Sequence, residues 1–182
     1  MTEPIQRYVA LLRAINVGGH NVKMADLRVL FEQLGFASVE TFIASGNAIF
    51  TAPETDTAGL EARIAEHLKA ALGYAVATFI RTPAELAAVS AYLPFPQAEL
   101  DASAALSVGF MAAAPAEAAQ AKVLALRTEI DDFHLHGREL YWLHRARQSE
   151  SKISGGVLEK ALGAQATLRN ITTVRKLAAK YG

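Results

Sequence analysis

Apolar positions along the chain alternate between two periods, and the alternation predicts a run of short elements. From Tyr8 to Ile15 nearly every residue is apolar, as in a strand covered on both faces. Met24, Leu27, Leu30, Phe31 and Leu34 then recur at helical spacing, and Gly35 stands where a helix C-cap glycine belongs. Val39 to Ala44 and Ala48 to Thr51 flank Ser45-Gly46-Asn47, and Gly46-Asn47 suits the positive φ values of a two-residue hairpin turn. Leu60, Ile64, Leu68 and Leu72 form a second helical stripe that opens near the N-cap types Asp56 and Thr57 and stops at Gly73. Ala75 to Arg81 reads as a fourth strand. The order β-α-β-β-α-β is that of a ferredoxin-like unit.

The remainder repeats the theme. Thr82 and Pro83 open a short helix around Glu85, Leu86 and Val89, which Pro94-Phe95-Pro96 interrupts. A strand at Leu106 to Met111, a helix after Pro115 and a hairpin from Phe133 to His144 about Gly137-Arg138 follow. Two short helices, near Val157 to Leu162 and Asn170 to Lys180, are expected at the end. The fold class is thus α+β: a ferredoxin-like half over 1–82, a helical linker over 83–102, and a second α+β half of related order over 103–182 packed against the first.

In a sheet of order 4-1-3-2, strands 1 and 2 run the same way. The loop leaving strand 1 and the hairpin leaving strand 2 should therefore share one rim. A two-residue turn would put Ile43 with Phe50 on one face and Phe42 with Ile49 on the other, both apolar. The face without helices then needs a cover, either the second half of the chain or another subunit, so a homodimer is one expected partner.

Charge changes little in this picture: lysine plus arginine and aspartate plus glutamate are 18 each among 182 residues, so no net field favours nucleic acid or an anionic membrane. Cysteine is absent, which excludes disulfides, a thiolate nucleophile and cysteine-ligated metal. The N-terminal residues lack a signal-peptide pattern and no apolar run approaches the roughly 20 residues of a bilayer span, so a cytoplasmic protein without membrane contact is expected. Neither GxxxxGK[ST] nor GxGxxG occurs, and no cofactor is expected.

Candidate chemistry concentrates where the strand-1 run ends. Arg13 closes a buried strand, and an unpaired buried charge costs several kcal/mol. Arg13, the amides of Gly18 and Gly19, and the side chains of Asn16, Asn21, Ser45 and Asn47 could line a pocket for an anionic or amide-bearing ligand, since glycines admit close approach and successive N–H groups form anion-binding nests. Against this, Arg13 could pair with an internal carboxylate and the asparagines could bond their own loops. Ser45 and His20 could meet at the same rim, but a serine in a hairpin turn is ordinary. At Thr167 to Thr173, Thr167 or Asn170 could cap a helix whose N-terminus, with Arg169 and Thr173 beside it, attracts phosphate or carboxylate. A capped helix with Arg169 in a salt bridge accounts for the same residues.

Two further classes are weaker. His134, His136, Glu139 and Tyr141 share one face of the second hairpin and could hold zinc, yet a solvated polar strand face explains them without a metal. Arg138, Arg145, Arg147, Lys152 and Lys160 are basic with Tyr141 and Trp142 nearby, but Phe42 to Thr51 does not match the aromatic pattern of an RNA-recognition motif, and Glu139 and Glu150 dilute the charge. A small anionic ligand at the strand-1 rim is the leading expectation. A dimerisation module and an RNA-binding protein are the alternatives, and no reaction can be assigned.

Three stretches together, Leu11-Leu12-Arg13-Ala14-Ile15-Asn16-Val17-Gly18-Gly19, Ser45-Gly46-Asn47 and Thr167-Leu168-Arg169-Asn170-Ile171-Thr172-Thr173, resemble the bacterial domain-of-unknown-function family numbered 1697. The resemblance implies a compact α/β protein with ferredoxin-like elements and no assigned activity. This chain has Ala14 where the family usually has glycine, and Ile171 where tryptophan is usual.

Overall fold

In the computed structural model, which describes residues 4–16, 18–43 and 46–182, the chain divides into two units between Glu85 and Leu86. Each unit holds one four-stranded antiparallel sheet, and the described residues include seven α-helices.

In the first unit, β1 (Gln6–Leu12) lies between β3 (Asn47–Ala52) and β4 (Thr78–Arg81), with β2 (Ala37–Thr41) at the far edge, giving the order β2-β3-β1-β4. Helices α1 (Met24–Glu32) and α2 (Thr57–Leu72) connect the strands as the ferredoxin-like pattern requires. Tyr8, Ala10 and Leu12 of β1 join Phe50, Leu27, Phe31, Leu60, Ile64 and Leu68 in one core. Their alternates Val9, Leu11, Ile49 and Phe79 are buried as well, which is why the run from Tyr8 reads as continuously apolar. Asp56 caps α2 by accepting from the Gly59 amide at 3.1 Å, and Gly73 closes it at φ 83°. Thr57 is the first helical residue, not the cap. Helix α1 stops at Glu32 with Gln33 as its C-cap, two residues short of Gly35.

The first hairpin differs from the two-residue turn expected at Gly46-Asn47. Thr41 pairs with Ala48, and Asn47 already belongs to β3, so the connection is longer. Positive φ falls on Ile43 (58°) and Gly46 (83°). The fully buried Asn47 closes the loop: its Nδ2 donates to the Phe42 carbonyl at 3.0 Å, while the Phe42 amide donates to the Asn47 carbonyl at 3.1 Å. Ile43 therefore leaves the sheet and is exposed instead of sharing a face with Phe50.

Helix α3 (Pro83–Ala91) carries the chain across the division. In the second unit α4 (Gln97–Ala102) precedes β5 (Ala105–Phe110), α5 (Glu117–Leu124), β6 (Asp131–His136), β7 (Glu139–His144), α6 (Gly155–Leu162), β8 (Thr167–Asn170) and α7 (Ile171–Tyr181). The order β6-β7-β5-β8 repeats that of the first sheet, so both units have ferredoxin-like order. The hairpin turns at Gly137-Arg138 as the sequence predicts, with His136 opposite Glu139. Phe133, Leu140 and Trp142 face Val123, Leu158 and Leu162 in the core. Strand β8 is the element missing from the sequence reading: Thr167–Asn170 pairs with β5 instead of entering a helix, and only Asn170 of the two proposed caps serves α7, accepting from the Thr172 amide at 2.9 Å.

Candidate functional site

Two connections meet at one end of the first sheet, as the strand order demands. The Leu12 amide donates to the Gly46 carbonyl at 2.9 Å, and a side chain added at Gly46 would lie 2.8 Å from Ile15 Cγ2. The loop after β1 is fastened at several points. The Arg13 amide donates to the Ala77 carbonyl at 2.9 Å, the Tyr74 hydroxyl to the Ile15 carbonyl at 2.8 Å, and the Val22 amide to Asn16 Oδ1 at 2.7 Å. Between these anchors Gly18 and Gly19 are exposed, with φ of 67° and 84° and open space around them. Next to them His20 stacks on Tyr74 with ring centroids 3.7 Å apart and planes inclined by 16°. Arg13 is half-buried and Asn16 and Asn21 are exposed, whereas Asn47 is committed to the hairpin. Ser45 lies outside the described residues. From Tyr8 through Ala25, and again from Thr41 through Phe50, no aspartate or glutamate occurs, while Arg13, His20 and Lys23 all fall in the first of these stretches.

The C-terminal motif separates into different environments. Arg169 is buried on β8 opposite Val108, its Nη1 donating to Thr167 Oγ1 at 2.7 Å and the Leu168 carbonyl at 2.9 Å, and burial pulls its pKa down to about 10. Asn170 and Thr172, with Arg175, Gln97, Asp101 and Ser103, line a cavity of about 270 Å³. Thr173 is half-buried on α7. The sequence reading overlooked Arg81, the counterpart of Arg169: it lies on β4 opposite Val9, wholly buried, and its Nη1 also donates to the preceding carbonyl, Ile80, at 2.9 Å. An arginine ending the apolar run of the first unit's fourth strand, Thr78-Phe79-Ile80-Arg81, was the available signal.

A buried polar network in the second unit was also missed. Ser107, Asp131 and His144 come together on three adjacent strands, yet their wiring differs from that of a hydrolytic triad. Asp131 accepts from Trp142 Nε1 at 2.9 Å, Thr128 Oγ1 at 2.7 Å and Ser151 Oγ at 2.8 and 2.9 Å. His144 Nε2 shares a 2.9 Å hydrogen bond with Ser107 Oγ, and its Nδ1 is buried without a hydrogen-bond partner. The carboxylate therefore does not orient the imidazole, as nucleophilic catalysis would need.

His134 and His136 belong to an aromatic cluster. Tyr92, just past the end of α3, stacks on His136 at 4.1 Å and 9°, and its hydroxyl shares a 2.7 Å hydrogen bond with His134 Nε2. No group of three His, Cys, Asp or Glu side chains among the described residues could hold a metal. Burial lowers the pKa of both His134 and His144 below the usual 6.5, His136 and Arg127 adding to the effect on His134. Between that depressed value and 6.5 the unfolded chain binds more protons than the folded one. Unfolding free energy should thus be fullest above pH 6.5 and decline as the pH falls below it. Urea titrations at pH 7.5 and 5.5 would measure the decline, and the pair His134→Phe with His144→Leu should flatten it.

The model of the family described as proteins of unknown function (DUF1697) matches residues 5–141. The chain belongs to this family. The match covers Leu11 to Gly19 and Ser45 to Asn47, the first two of the three stretches that carried the resemblance, and Thr167 to Thr173 lies beyond it. No curated protein matches the chain. The solved structure of the conserved bacterial protein SP0830 from Streptococcus pneumoniae is similar over 98% of this chain and 100% of its own, with a TM-score of 0.73 and 22% identity, and so shares the fold. A putative chlorite dismutase, TA0507, aligns with a TM-score of 0.26 and 12% identity, too low for a shared fold.

Ala14 of this DUF1697 chain occupies a backbone position that suits glycine. Ala14 has φ of 57°, a left-handed conformation that glycine adopts freely and alanine only at a cost of about 1–2 kcal/mol. Ala14→Gly should raise stability by about 0.5–1 kcal/mol, the relief being partly offset by the greater freedom of glycine in the unfolded chain. Thermal denaturation of the two proteins measures it. No helix among the described residues is long and apolar enough to cross a membrane.

Proposed function

We propose that this protein binds a small anionic molecule at the rim where the loop after β1 meets the β2–β3 turn. One observation carries the reading: two consecutive exposed glycines in left-handed conformation, Gly18 and Gly19, lie in a loop that contains Arg13 and no carboxylate. Successive amides in such backbone form a concavity for anions, and Arg13 supplies charge complementarity. Asn16 and Asn47 frame the two loops through their own hydrogen bonds, while the exposed Asn21 provides a polar group that orients the ligand. Further support comes from Ala14 and Ile43, both non-glycine residues held at positive φ at this end of the sheet. Such strain gathers at binding and catalytic sites.

A thermal-shift series with orthophosphate, sugar phosphates and carboxylates on wild type and Arg13→Ala tests the reading. At least one phosphate or carboxylate should stabilise wild type, and Arg13→Ala should weaken that ligand about tenfold. If Arg13→Ala loses stability while no anion shifts either protein, the arginine is structural and the reading fails.

A further inference from the structure

We infer that the anion bound at this rim is the phosphate of a nucleoside phosphate, whose base lies on the exposed face of His20 and continues the His20–Tyr74 stack. The inference rests on the anion-site reading above and names its ligand class. Three observations carry it. Tyr74, immediately after the Gly73 cap of α2, is held by its hydroxyl on the Ile15 carbonyl, so its ring has a fixed position under the loop. That ring supports His20 in near-parallel contact, yet His20 remains exposed. Gly18 and Gly19 adjoin His20 directly, so the Cα atoms that carry the amide donors and the imidazole lie within roughly 8 Å, two steps along the chain.

A flat ring beside an anion nest selects a molecule with an aromatic plane at one end and a phosphate one sugar away. Stacking on an exposed aromatic face tolerates any base, because each presents a π surface. The phosphate provides the charge that Arg13 and the glycine amides complement. A sugar phosphate satisfies the nest alone and leaves the imidazole face in water, whereas a nucleotide uses both. His20 is therefore a positioning residue for the base, and the Tyr74 ring braces it from behind.

Calorimetric titration of the full chain with orthophosphate, ribose 5-phosphate and AMP tests this. AMP should bind at least tenfold tighter than ribose 5-phosphate, within the range that base stacking supplies. His20→Ala should abolish that advantage while leaving ribose 5-phosphate binding unchanged, and His20→Phe should keep it. Circular dichroism establishes that the variants fold; should His20→Ala not fold, His20→Phe and the wild-type comparison of AMP with ribose 5-phosphate decide. Equal affinity for the two ligands overturns the inference but leaves the anion site standing, as does an AMP advantage that survives in His20→Ala. Binding of a single-stranded oligonucleotide without binding of AMP also overturns it. If none of the three phosphates binds, both readings fall together.

Discussion

Asp131→Ala should destabilise the second unit by about 4 kcal/mol, the largest single effect expected in this protein. Asp131 is 1% exposed, and its two oxygens receive the Trp142 indole, the Thr128 hydroxyl and the Ser151 hydroxyl. Hydrogen bonds to a charged acceptor are worth about 1.5–3 kcal/mol each, and a buried donor left without a partner costs about 1–3 kcal/mol. The indole N–H of Trp142, on a wholly buried side chain, has no route to water once the carboxylate is gone. The three bonds are not independent, which brings the expected total below their sum. Asp131→Asn keeps one acceptor oxygen but turns an NH2 group toward donors, and about half the loss is expected. The chain has a single tryptophan, so urea unfolding followed by its fluorescence reports this unit. A loss under about 1 kcal/mol for Asp131→Ala would mean that packing alone holds β6 and β7 in place.

Gly46→Ala should cost about 3 kcal/mol in the first unit. Gly46 has φ of 83°, where an alanine is strained, and the added Cβ would lie 2.8 Å from Ile15 Cγ2 and 3.3 Å from Leu12 Cβ. Both neighbours are buried, so neither can swing away into solvent. The turn must lift off β1, breaking the bond from the Leu12 amide to the Gly46 carbonyl. Left-handed strain contributes about 1–2 kcal/mol and overpacking about 1–3 kcal/mol. Gly18→Ala and Gly19→Ala share the strain but meet open space, so each should cost only about 1 kcal/mol. Thermal denaturation of the three variants separates the two causes. Equal losses would show that contact between the turn and β1 contributes little to holding the rim together.

The periodicity of apolar residues made most of this fold legible. Tyr8 to Leu12, the stripe from Leu60 to Leu72 and the hairpin about Gly137-Arg138 each encode their own element, because alternate burial on a strand or helix repeats at a fixed local spacing. Strand order in the first sheet followed from the succession of those elements, and with it the meeting of the β1 loop and the β2–β3 turn. Strand β8 was not legible. Its four residues, Thr167-Leu168-Arg169-Asn170, contain one aliphatic side chain, and their strand state comes from pairing with β5 some sixty positions away. Asn47 was misplaced for a related reason: Gly-Asn suits a turn locally, but its side chain serves the structure better by closing a longer loop onto Phe42.

Among the polar residues the division is sharper. By itself the sequence determined most of the strands and helices, that a ferredoxin-like order is followed by a second α+β half of related order, and that an arginine and a glycine pair follow the first strand. Only the tertiary structure decided which polar groups are consumed inside the protein: Asp131 by an indole and two hydroxyls, Arg169 by its own strand, Asn47 by the hairpin. It also placed His20 on Tyr74, an association between residues 54 positions apart in the chain. The physical reason is one of range. Burial periodicity is written into neighbouring residues, whereas a hydrogen bond or a ring stack is selected by whatever the folded chain brings within about 3–4 Å.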